Sequence, residues 1–187
     1  MAEPARSRVS YAEYLALEAR ADDKHEYLDG VVRAMSGGTI EHGRLSSRVQ
    51  GLIRSGLRGP CEVFSSDVKV FVAASNRSTY PDASVVCGRV ETAEIDAEAI
   101  VNTVVLVEVL SDSTEGYDRG EKFRHYRRLE SLREYVLVSQ REPLVEVWRR
   151  EGDLWRPVEH GPGDDVRLAS VDAAFPVDAL YDNPLLG

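Results

Sequence analysis

Two acidic residues stand where their surroundings argue against an acid. Glu108 interrupts the aliphatic run VVLVEVL at 104–110, and Asp82 in TYPDASVVC comes just before a second aliphatic run. An ionised carboxylate taken out of water persists only with a cation, a metal or a proton as partner. Two carboxylates on neighbouring strands suit a hard divalent cation such as Mg2+ or Mn2+. Such an ion binds through one or two acids together with waters and phosphate oxygens. The competing readings are a structural ion pair or a water-reaching strand end for Glu108, and a turn cap for Asp82.

The elements that position these acids are read from periodicity and turn chemistry. In an extended strand, Val104, Leu106, Glu108 and Leu110 share one face and Val105, Val107 and Val109 the other, so both faces are apolar. Ser10 and Glu13 form a capping box ahead of a helix over about 10–20. Asp29-Gly30 predicts a tight hairpin. Ile40, Leu45, Val49, Leu52, Ile53 and Leu57 predict a second helix, stopped by Gly59-Pro60. EVFSS, VKVFVA and ASVVC read as a three-stranded meander, and ETAEIDAEAI as an exposed loop or short helix. After the strand at Val107, SDSTEGYDRG reads as a loop and 118–129 as a helix. EYVLVS and LVEVWRR read as strands, and the Gly-, Pro- and Asp-rich tail is poorly patterned. The expectation is an α/β fold: one mixed sheet, the strands around Val107 and Val136 central, helices on both faces.

The chain has 187 residues, 43% of them hydrophobic, which suits a single domain over 1–187. A formal charge of -9 excludes a general nucleic-acid coat, so any contact with a polyanion must be local. Cys61 and Cys87 lack zinc spacing and read as reduced thiols of a cytoplasmic protein. The stretch MAEPARSRVS has no apolar leader, and no run approaches the ~20 residues that cross a bilayer. GYDRGEKF fails the spacing of a phosphate-binding P-loop, and no Gly-x-Ser-x-Gly elbow or Cys-His pair offers a covalent nucleophile.

YLDGVVRAMSGGTIEHGRL, YPDASVV and VVLVEVLSDSTEGYDRGEKFRHY together resemble the Uma family of restriction endonuclease-like proteins, in the PD-(D/E)xK nuclease superfamily, over about residues 10–150. The resemblance implies a Mg2+- or Mn2+-dependent endonuclease acting on DNA, with Asp82 and Glu108 as metal ligands. The lysine expected two residues after the second acid is replaced by Leu110, and the resemblance moves it to Lys122. Lys122, Tyr126 and Leu129 fall on one helical face, so the ammonium can reach back over the acids; the competing reading is a solvated surface lysine. Accessory candidates are Glu26, otherwise a surface acid beside Lys24; His42, otherwise structural; Asp118, otherwise a helix cap; and Tyr126. Lys69, Arg124, Arg127 and Arg128 are candidate phosphate contacts. A homodimer could bring two sites to a duplex, with strands such as LVEVW pairing across it. The alternative function is a nuclease-fold binding or assembly module without catalysis.

Overall fold

The computed structural model describes residues 8–35 and 37–184; the amino-terminal residues 1–7, read above as lacking an apolar leader, and the last three lie outside them. Ser10 caps α1 (Tyr11–Glu18) through the reciprocal capping box with Glu13. Asp29 and Gly30 both take positive φ, 49° and 92°, as a two-residue hairpin turn requires, and join β1 (His25–Leu28) to β2 (Val31–Ala34). Thr39 accepts from the His42 amide to open α2 (Ile40–Gly56), whose stripe of Leu45, Val49 and Ile53 is fully buried.

That stripe packs on a six-stranded sheet. In spatial order the sheet runs β12 (Leu154–His160), β11 (Val145–Glu151), β10 (Glu134–Val138), β9 (Val105–Val109), β6 (Ala83–Cys87) and β3 (Cys61–Ser65). Here β9 and β10 are parallel neighbours and every other pairing is antiparallel, so the two aliphatic strands are central as predicted. Val105, Val107 and Val109 face α2, the hairpin of β13 (Asp165–Leu168) and β14 (Ala173–Pro176), and α5 (Val177–Tyr181). Leu106 and Leu110 face the other way, into a core with Phe123, Tyr126, Leu129 and Tyr135. Truncating Ile53 to Ala would leave a void costing about 2–5 kcal/mol.

A second six-stranded sheet covers this other side: β2, β1, β5 (Arg77–Thr79), β4 (Lys69–Val72), β8 (Asp96–Ile100) and β7 (Thr92–Ala93). Its strands correct the predicted meander. The strand β3 pairs directly with β6, while β4, buried on all four residues, pairs with β5 and β8. The acidic ETAEIDAEAI is also strand, because Asp96 is buried against Lys69 at 2.6 Å instead of facing water. The same contact, with the Tyr14 ring beside it, removes Lys69 from the phosphate-contact candidates.

Other expectations are corrected by long-range pairing. LVEVW lies inside the first sheet with partners on both sides, so it offers no free edge to a second copy. The β3–β6 register sets Cys61 opposite Cys87, with Cα atoms 4.0 Å apart, and the two form a disulfide instead of remaining reduced. The unpatterned tail contains β12, β13, β14 and α5; β12 is an exposed edge with little apolar signal. Among the described residues no helix is long and apolar enough to cross a membrane.

Candidate active site

Asp82 and Glu108 are brought together by strand register. Ala83, the first residue of β6, pairs with Val107, so Asp82 just before that strand comes beside Glu108 at the end of the ladder, and both acids line one cavity. The Val109 amide donates to Asp82 Oδ2 at 2.7 Å, and His42 Nε2 from the first turn of α2 lies 3.3 Å from that same oxygen. Gln50, two turns along α2, donates to the Asp82 carbonyl at 3.0 Å and fixes the backbone where β6 begins.

Between β9 and β10 the chain forms α3 (Glu115–Tyr117), a π-helical turn (Asp118–Lys122) and α4 (Phe123–Tyr126). Helix therefore starts earlier than the predicted 118 and ends earlier than 129, and it widens at its middle, a feature frequent at functional sites. The Asp118 carbonyl in the wide turn accepts from Tyr135 Oη at 3.1 Å. This geometry aims Lys122 at the acids. Its Nζ lies 2.8 Å from Glu108 Oε1, 3.5 Å from Asp118 Oδ1 and 3.6 Å from Glu26 Oε1. One turn on, Tyr126 Oη donates to Glu108 Oε1 at 3.0 Å and lies 2.8 Å from Thr79 Oγ1 on β5. Both donors to Glu108 thus meet Oε1, as both donors to Asp82 meet Oδ2.

Glu26, Glu108, Asp118 and Lys122 are each less than a tenth exposed. Burial pushes the Glu108 carboxyl well above the usual carboxylate range, with Lys122 pulling against it and Asp118 and Asp82 adding to it. Burial alone works against the Lys122 ammonium, but Glu108, then Tyr126, Glu26 and Asp118, outweigh it and hold its pKa well above lysine's ordinary value. Burial also raises Asp118. One ammonium thus serves three carboxylates. At the other acid, the hydrogen bond to Asp82 raises the His42 pKa against its partial burial, helped by the Val109 carbonyl.

These groups line a cavity of about 380 Å3. Asp82, Glu108, Lys122, Glu26, His42 and Asp118 all reach it, and Tyr126 stands behind Glu108. Leu110 is buried in the core, so the lysine beside the acids comes from the helix and not from the strand. Arg124 and Arg127 are exposed on α4 and its end, and Arg128 binds the Ala74 carbonyl; none of the three lines the cavity. Arg33, Tyr117 and Tyr80 do line it and were missed. The Asp-Gly turn could have pointed to Arg33, since a two-residue loop that pairs Leu28 with Val31 must pair Glu26 with Arg33. Among the described residues no three His, Cys, Asp or Glu converge as a ready-made metal cluster. The donor set is a pair of hard oxygen ligands.

The family model Uma2, described as "Putative restriction endonuclease", matches residues 11–178. Two proteins of Synechocystis sp. are similar along most of their length. "Uncharacterized protein slr1290" is 37% identical over 176 residues, 93% of this chain and 92% of that protein. "Uncharacterized protein sll1609" is 32% identical over 146 residues, 78% and 82%. A crystal structure from Anabaena variabilis, described as "a putative nuclease", shares the fold with a TM-score of 0.75 at 18% identity, covering 92% of this chain and 97% of that one.

Proposed function

This chain belongs to the Uma2 restriction endonuclease family, and on that premise we propose that it is a Mg2+- or Mn2+-dependent endonuclease hydrolysing phosphodiester bonds of DNA. The observation that carries the reading is that Asp82 and Glu108 line one cavity, each with its protein donors on a single carboxylate oxygen. Asp82 Oδ1 and Glu108 Oε2 are then the atoms for a hard cation, and two carboxylates plus waters fit Mg2+. Bound there, the cation supplies Lewis acidity, lowering the pKa of a water and neutralising the phosphate.

The protein's own groups divide the remaining work. Lys122 orients the attacking water and stabilises charge that develops on the phosphate, as a preorganised cation in a dry site does. Glu26 and Asp118 keep that ammonium charged and in place. Tyr126, backed by Thr79, sets the orientation of Glu108, while His42 and the Val109 amide set that of Asp82. A module without catalysis is the rival reading; Glu108 shares its cavity with Asp82 and sits beside a lysine, the arrangement that a spent structural acid has least reason to keep.

Calorimetric titration of Mg2+ or Mn2+ into the wild type and into Asp82→Asn and Glu108→Gln tests the reading. Binding by the wild type that either substitution abolishes supports it, and metal-dependent cleavage of DNA lost in the same variants completes it. A folded wild type that binds neither ion returns the chain to the binding-module reading.

A further inference from the structure

The cavity walls carry four carboxylates, Glu26, Asp82, Glu108 and Asp118, against two side chains of permanent positive charge, Arg33 and Lys122. A phosphodiester entering such a place meets repulsion unless a cation receives it, and Lys122 is buried with three acids around it. Arg33 is exposed.

Its placement is specific. The β1–β2 register pairs Arg33 directly with Glu26, so both side chains rise from one face of the second sheet, toward the cavity. An arginine across from a glutamate ordinarily makes an ion pair, yet among the described residues Arg33 makes none. Glu26 turns to Lys122, and the Arg33 guanidinium lies 5.2 Å from the centre of the Tyr117 ring. The ring is itself held at the cavity, with Tyr117 Oη 3.5 Å from Glu26 Oε2. A guanidinium braced on an aromatic face keeps its charge and its planar fork of N–H donors while losing little rotamer freedom when it binds. That fork matches two oxygens of a phosphodiester.

We propose that Arg33, braced on Tyr117, is the phosphate clamp of this cavity and contacts the backbone of the DNA strand that enters it. The proposal rests on the nuclease reading and adds to it a substrate-binding residue outside the metal site. Arg33 acts on binding of the strand, and its contribution is independent of the cation between Asp82 and Glu108.

The test is fluorescence anisotropy of a labelled oligonucleotide, single-stranded and duplex, in EDTA so that nothing is cleaved, over a series of salt concentrations. For whichever form the wild type binds more tightly, Arg33→Ala should weaken binding roughly tenfold and reduce the log–log salt slope by about one. Arg33→Lys should restore the slope and leave the affinity short of wild type, because lysine offers neither fork nor stack. Calorimetry with Mg2+ on Arg33→Ala should match the wild type, and its melting should too, since the side chain is exposed on an edge strand. Unchanged DNA affinity and slope in Arg33→Ala overturn the clamp while leaving the metal site standing, and so does a wild type that binds Mg2+ but neither DNA form. Absence of Mg2+ binding in the folded wild type removes the nuclease reading on which the clamp rests.

Discussion

Lys122 Nζ lies 2.8 Å from Glu108 Oε1, with both side chains buried. The pair is asymmetric: among the described residues Glu108 pairs with Lys122 alone, while Lys122 also has Glu26 and Asp118. Lys122→Met, which leaves three acids facing each other without a counter-charge, should cost about 3–5 kcal/mol. Glu108→Gln should cost less, since the ammonium keeps two partners. Urea unfolding of both variants checks the order, and a Lys122→Met protein as stable as the wild type would contradict it.

Divalent metal should stabilise the folded chain in proportion to how well it binds. At a free Mg2+ concentration about 100 times Kd the gain is about 2.7 kcal/mol. Asp82→Asn should lose that gain. Thermal melting with and without Mg2+ reads it, and an equal shift in wild type and Asp82→Asn would place the ion elsewhere.

The His42–Asp82 contact sets a pH dependence. With the folded pKa of His42 raised above its unfolded value, chiefly by the bond to Asp82, the interaction stabilises fully below about pH 6.5. It is lost as pH rises through the folded pKa. His42→Gln should therefore flatten stability against pH across neutrality. The His42 imidazole resonances, assigned by their loss in His42→Gln and followed by NMR, should titrate above free histidine and move back down when Mg2+ saturates the site; titration of His42 below free histidine would refute the contact.

Reduction of the Cys61–Cys87 bond should destabilise without abolishing the fold. It closes a loop of sequence separation 26, for which chain entropy gives about 3.5 kcal/mol. Denaturant curves with and without reductant measure this, and a Cys61→Ser/Cys87→Ser double variant should match the reduced protein.

What could be read from the chain beforehand was local or periodic. A charge in the middle of VVLVEVL marks Glu108 whatever surrounds it, the Asp29-Gly30 turn specifies a hairpin through two positive φ angles, and α2 shows its buried stripe at four-residue spacing. Of the second sheet only the β1–β2 hairpin and the strand β4 were legible; β5 has three residues and β7 two, lengths at which pairing across the fold decides what intrinsic preference cannot. Asp96 was read as a solvated acid because its partner Lys69 is brought to it only by the β4–β8 pairing. The site was half legible. A resemblance of motif singled out Lys122, but the π-helical turn that aims it, and the Thr79 and Tyr126 hydroxyls behind Glu108, follow from tertiary packing. The disulfide waited on the β3–β6 register in the same way.

The ammonium between Glu26, Glu108 and Asp118 means that the chain carries its own counter-ion. Small zinc modules collapse into coil under chelators, because the ion alone balances their ligands. Here a lysine of the chain already offsets part of the charge, so the fold should assemble without the ion and take it up as a separate event. On the proposed reading, a cell short of Mg2+ would hold a folded protein waiting for its ion, and ion supply would govern its output while leaving its abundance untouched.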